Sequence, residues 1–218
     1  MNLPILQLLV LAGIAIFLIL RLRSVLGTRD GFEAPNVPPA GLEERKRKFE
    51  VIEGGPDQDI TDHAEEGSET AKALAAMKAR EPSFEVGGFL SGARSAYEFI
   101  LMGFERGELS DIKPYISDEV FEVFSQVVDD REKKGLRVEA EFIGVREVAI
   151  HSAEFHAASG TAEISMRFIG ELTSVVRDQA GEIVEGKEGK VKTQKDIWTF
   201  EREMGVNDPN WILVATGE

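Results

Sequence analysis

Apolar residues are sharply segregated along this chain. Residues 3–20 read LPILQLLVLAGIAIFLIL, 18 positions without a charge and with Gln7 as the one strongly polar member. As a helix this run spans about 27 Å, close to the roughly 30 Å hydrocarbon thickness of a bilayer. A core helix would show a polar stripe, and this run has none. The pattern predicts a transmembrane anchor over residues 1–22, with Leu3, Ile5, Leu8, Leu11, Ile14, Phe17 and Leu20 among its apolar positions. Arg21, Arg23 and Arg29 follow it, whereas nothing before Leu3 is basic except the terminal amine. A cleaved signal peptide has the reverse order. The arginines therefore place the remainder of the chain on the cytoplasmic side.

Residues 23–83 lack sustained hydrophobic periodicity. Pro35, Pro38 and Pro39 favour an extended spacer, and residues 43–48 form a mixed charge run. Residues 50–69 contain eight acids and no Lys or Arg. Such a composition predicts a disordered tether, because it buries too little apolar area to offset chain entropy. Residues 70–80 are alanine-rich and carry Leu74 and Met77 on one side, a possible short docking helix that is marginal without packing. Glu81-Pro82 marks a helix boundary.

From residue 84 the pattern becomes that of a compact domain reaching residue 218. Val86, Phe89, Leu90, Ala93, Tyr97, Ile100, Leu101 and Phe104 recur at steps of three and four, one face of a helix that Arg106-Gly107 stops. Phe99 and Met102 widen the apolar arc and predict burial on more than one side. Ser117 is an N-cap for a second helix closed by Lys133-Lys134-Gly135, with Val120, Phe121, Phe124, Val127 and Val128 facing the core. The period then changes to two. Val138, Ala140, Phe142, Val148 and Ile150 share one parity, with Gly144 as a bulge or bend. Ala162, Ile164, Met166, Phe168 and Leu172 share another. A return strand over residues 191–201 and a short strand over residues 211–214 complete the set. The fold class is α+β, with two helices packed on a curved four-stranded antiparallel sheet.

A sheet wrapped on helices leaves room for an apolar cavity, for which Phe89, Tyr97, Ile100, Phe121, Phe124, Trp198 and Trp211 are the candidate lining residues. Plain core packing is the alternative for each of them. The chain has no cysteine, which excludes disulfides, thiol nucleophiles and thiolate zinc sites. Of the three histidines, His63 lies in the acidic tether, and His151 and His156 flank a turn at odd spacing, which argues against a metal pair. Gly87-Gly88 lacks the lysine and serine of a phosphate-binding loop. No cofactor and no catalytic group is expected. Asp196 is the carboxylate to watch, since only burial would make it a base near neutrality.

Basic residues number 25 against 39 acidic ones, a formal net charge of −14 that argues against nucleic acid as a partner. The mean hydropathy of −0.14 looks soluble only because the apolar run and the charged tether cancel.

The run Glu81-Pro82-Ser83-Phe84 followed by Phe89-Leu90-Ser91-Gly92-Ala93-Arg94-Ser95-Ala96-Tyr97-Glu98 resembles the opening of the Tim forty-four-like domain in its bacterial TimA branch. Phe104 with Arg106-Gly107-Glu108, Arg131-Glu132, Arg167-Phe168, Arg177-Asp178, Asp196-Ile197-Trp198-Thr199-Phe200-Glu201-Arg202 and Asp208-Pro209-Asn210-Trp211 extend the resemblance over residues 81–216. It implies a cone-shaped, nuclear-transport-factor-two-like domain. The mitochondrial relative is a peripheral inner-membrane adaptor that recruits the seventy-kilodalton heat-shock chaperone to the import channel and associates with cardiolipin-containing membrane. This chain differs in its own apolar span and a much shorter N-terminal part. The expectation is a bacterial inner-membrane adaptor without enzymatic activity, acting in protein translocation, membrane-protein assembly or chaperone recruitment. Its expected partners are membrane lipid and either such a chaperone or translocon components. A module for lipid or another hydrophobic ligand is the alternative.

Overall fold

The computed structural model describes residues 57–217. The expected anchor at Leu3, Ile5, Leu8, Leu11, Ile14, Phe17 and Leu20, its flanking Arg21, Arg23 and Arg29, and the tether up to residue 56 lie outside the described residues. No helix among the described residues is long and apolar enough to cross a membrane. The helices are α1 (Gln58–Thr61), α2 (Glu69–Arg80), α3 (Val86–Arg106), α4 (Leu109–Ile112) and α5 (Asp118–Lys133), with one 3-10 turn at Lys113–Tyr115. The strands β1 (Arg137–His156), β2 (Thr161–Arg177), β3 (Ile183–Glu203) and β4 (Ile212–Gly217) form an antiparallel meander in the order β1-β2-β3-β4.

The expected stop and start signals operate as read. Gly107 ends α3 in the left-handed conformation at φ 75°, and the Ser117 hydroxyl accepts from the Val120 amide to open α5. Strand β1 runs further than expected, through the segment read as a turn, and the actual turn follows His156. Three register shifts accompany its length, at Phe142/Gly144, Val145/Glu147 and Ile150/Ser152. Each adds one residue and reverses parity, so Phe142, Val145, Val148, Ile150 and Ala153 all pair with even-numbered β2 residues on one face. That face holds the buried Ala162, Ile164, Met166, Phe168 and Leu172. On the other face Arg167 pairs with Glu147, and the Ser165 and Thr199 hydroxyls share a hydrogen bond of 2.8 Å.

Helix α3 lies on the apolar face through Tyr97. Its ring stacks on Phe168 at 4.4 Å and tilts against Trp198 at 4.7 Å. Its hydroxyl donates to Asp196 Oδ2 at 2.5 Å, and Gln194 Nε2 donates to Oδ1 at 3.0 Å. Burial, and then the neighbouring carboxylate, push the Tyr97 phenol up. Gly170 makes this reach possible, because a Cβ there would lie 2.7 Å from the Tyr97 hydroxyl oxygen. Gly170→Ala is expected to cost about 2 kcal/mol by overpacking a ring that stacking holds in place. An unchanged urea midpoint would refute that.

The short helix expected over residues 70–80 forms as α2, but from Asp57 onward the chain packs with the domain instead of standing off as a tether. Leu74 and Met77 of α2 are fully buried, and Ile60 of α1 joins the same core. Two acids of this stretch, Asp57 and Asp59, are engaged by the fold, whereas Asp62, Glu65, Glu66 and Glu69 stay exposed. Asp59 accepts from the Val86 and Gly87 amides at 2.8 and 2.9 Å, capping α3, whose own Glu85 makes no side-chain cap. Lys78 bridges Asp57 and Asp59 at 2.7 and 2.8 Å. Burial raises the Asp59 carboxyl, but Lys78 and the two amides outweigh it and bring the group from 3.8 to about 2. The contribution is therefore complete above pH 3.8 and lost as pH falls toward 2. Asp59→Asn should lower stability by roughly 1–2 kcal/mol at neutral pH, allowing for partial exposure. Denaturant titrations of both proteins should converge near pH 2. A gap that persists there would disprove the capping role.

Candidate functional site: an apolar groove beside α3

Three separated segments build one groove of about 560 Å³. The first is the α2–α3 junction with Glu81, Ser83 and Phe84. The second is the outward side of α3, where Gly88, Gly92 and Ala96 stand at helical spacing above Phe89 and Ala93. The third is the β3–β4 turn with Arg202, Pro209, Asn210 and Trp211, and Tyr115 closes one end. The aromatic wall is continuous. Phe84 lies 6.0 Å and Phe89 4.6 Å from Trp211, and Phe89 meets Phe200 edge-on at 6.2 Å.

A polar clasp holds the wall in place. Arg202 Nη2 donates to both Glu81 oxygens at 2.7 Å, its Nε donates to the Asp208 carbonyl at 2.9 Å, and the Gly205 amide donates to Glu81 at 2.9 Å. The two side chains are 8% and 17% exposed, so the pair is nearly desolvated. Burial raises the Glu81 carboxyl, while Arg202 and the Gly205 amide prevail and hold it below the usual range. Asp208 Oδ1 accepts from the Asn210 amide and side chain at 3.0 and 2.8 Å, which fixes the turn that presents Trp211. The site can grip an apolar segment. Its small α3 residues allow close backbone approach, and its one ion pair is already satisfied.

Of the seven expected lining residues, Phe89 and Trp211 stand in this groove. Tyr97, Ile100, Phe124 and Trp198 are buried in the packed interior, and Phe121 lies beneath Lys113, whose ammonium is 4.6 Å from the ring centroid. Core packing took these five because α2 and α3 cover the sheet's apolar face and α5 packs against β4. Phe99 and Val127, expected inside, are 47% and 39% exposed. Phe84, Gly92, Tyr115 and Arg202 were missed as lining residues. The spacing Gly88-Gly92-Ala96 was a readable signal for a shallow helix face, but the contact between Glu81 and Arg202 across the chain was not. Asp196 lies outside the groove with both oxygens satisfied. His151 and His156 are exposed on β1, and no metal-binding group occurs among the described residues.

The arrangement defines an α+β domain whose groove is assembled by several of the short motifs read in the sequence. The chain belongs to the family of the Tim44-like domain, whose model matches residues 70–218. The match includes α2, ahead of the boundary expected at residue 84. The mitochondrial import inner membrane translocase subunit TIM44-1 of Arabidopsis thaliana is 22% identical over 145 residues. That alignment covers 66% of this chain and 30% of that protein, so the chain spans under a third of its relative's length. Among solved structures, the intermembrane space region of chloroplast protein ARC6 aligns with a TM-score of 0.39 and 10% identity, covering 56% of this chain and 88% of that one.

Proposed function

We propose that this protein is a membrane-anchored adaptor of the bacterial TimA branch, working in protein translocation or membrane-protein assembly at the cytoplasmic face of the inner membrane. In this reading residues 3–20 form the anchor, the arginines after them set its orientation, and the domain holds an apolar segment of a client or partner in the groove. The observation that carries it is the wall of Phe84, Phe89 and Trp211 facing a small-residue helix surface. Membership in the Tim44-like family and the name of the plant relative support the translocation setting. Chaperone recruitment is one form of the same role. The role is not enzymatic, in keeping with a buried Asp196 whose oxygens are both occupied.

Crosslinking in native membranes, read by mass spectrometry, tests this. Chaperone or translocon subunits should be enriched with the wild-type chain and depleted at least about fivefold by Gly92→Trp. That substitution fills the groove from a position with nothing within 4 Å and should leave stability within about 0.5 kcal/mol. Lipid co-purifying through the domain, with no protein partner, would replace the adaptor by a lipid-binding module. A reporter fused after residue 218 that is active outside the cytoplasm would overturn the orientation.

A further inference from the structure

Strand β3 carries an arm that the groove does not use. Among the described residues its first half pairs with β2 on one side only, since β4 meets β3 over residues 197–201. Within this half Val191 faces Thr173 and Gly186 faces Val175, so residues 187–190 bulge out opposite Ser174. The bulge depends on Gly186, which has φ +84° and where a Cβ would lie 2.3 Å from the Ser174 carbonyl oxygen.

The bulge sorts charge. Glu188 is drawn to Arg177, which also binds Glu139 at 3.0 Å. Lys187, Lys190 and Lys192 instead line a cavity of about 440 Å³ together with Val176 and Val191, and Glu185 is its one acidic lining residue. Among the described residues none of the three lysines forms a salt bridge. In a chain of net charge −14 this is a concentration of positive charge without salt-bridge partners, offset by Glu185 and by Glu105 near Lys192, beside a strand edge that no other strand occupies among the described residues.

We propose that the arm docks an extended acidic segment of a partner protein. The segment adds a strand along residues 191–195 and lays carboxylates against Lys187, Lys190 and Lys192. Main-chain pairing supplies affinity in such additions, and side chains supply selectivity. Edge lysines ordinarily repel further strands, and the same lysines admit one of opposite charge. A flat anionic membrane matches less well, because the lysines line a concavity and the net negative charge of the chain opposes a broad anionic surface. The site is separate from the groove, and neither reading depends on the other.

The test is fluorescence anisotropy of a labelled peptide of alternating glutamate and valine, added to the full chain in neutral detergent. Hydrogen exchange is followed in parallel. Binding should slow exchange at residues 191–195 and weaken at least about tenfold in the Lys187→Gln, Lys190→Gln, Lys192→Gln triple variant. The glutamine-for-glutamate peptide should lose the same affinity. High salt on the wild-type chain supplies the same loss without any substitution. Equal binding by the triple variant at an unchanged urea midpoint, or no protection at residues 191–195, overturns the proposal. So does lysine-dependent binding of phosphatidylglycerol vesicles or inorganic phosphate when the acidic peptide does not bind.

Discussion

Arg202→Met should lower unfolding free energy by about 3 kcal/mol and disorder the groove at the same time. The guanidinium satisfies both oxygens of a nearly desolvated Glu81, and its removal leaves that carboxylate buried without a counter-charge. It also releases the Asp208 carbonyl that anchors the turn before Trp211. Because most of the cost is the orphaned carboxylate, the double variant Glu81→Gln, Arg202→Met should recover more than half of the loss. Urea titrations of the wild type, both single variants and the double variant measure the cycle. Additive losses would mean that the pair is not the clasp described. Trp211 fluorescence should shift to the red in Arg202→Met even where the rest of the domain stays folded.

Leu74→Ala should cost about 2–5 kcal/mol, the range for truncating a fully buried leucine. The number matters because residue 74 lies in a stretch whose composition reads as tether. If α2 were a loosely attached helix, the substitution would cost a few tenths of a kcal/mol and leave the main transition untouched. Removing residues 57–80 should likewise expose Phe84, Val86 and Ala153 and produce a chain that aggregates. Differential scanning calorimetry on these variants separates the two cases.

The helices α3 and α5 and the inner face of β2 were legible because periodicity is local. Tyr97, Phe124 and Ile164 fall on the stripe that the spacing predicts, and Gly107 and Ser117 mark ends by backbone and hydroxyl chemistry acting within a few residues. The place of residues 57–80 was not legible, because Asp59 looks like one more solvated acid until Lys78 and the α3 amides are brought to it from 19, 27 and 28 residues away. The β3 arm was missed for a related reason. Its bulge and alternating charges carry no apolar period, and pairing with β2 alone holds it in register. Of the aromatics expected to line a cavity, Phe89 and Trp211 lie in the groove, whereas Tyr97 and Trp198 went into the core. No local signal distinguishes the two, since the outcome depends on which face of α3 meets the sheet.

The proposed occupant of the groove beside α3 is an apolar segment of another protein. Site-specific photocrosslinking in native membranes addresses it directly, with benzoylphenylalanine at position 92 inside the groove and at position 123, which is 58% exposed on α5, as the reference. Discrete protein adducts are expected from position 92, absent from position 123 and lost when Arg202→Met is introduced. Identical adduct patterns from the two positions, or lipid as the sole product at position 92, would contradict the proposal.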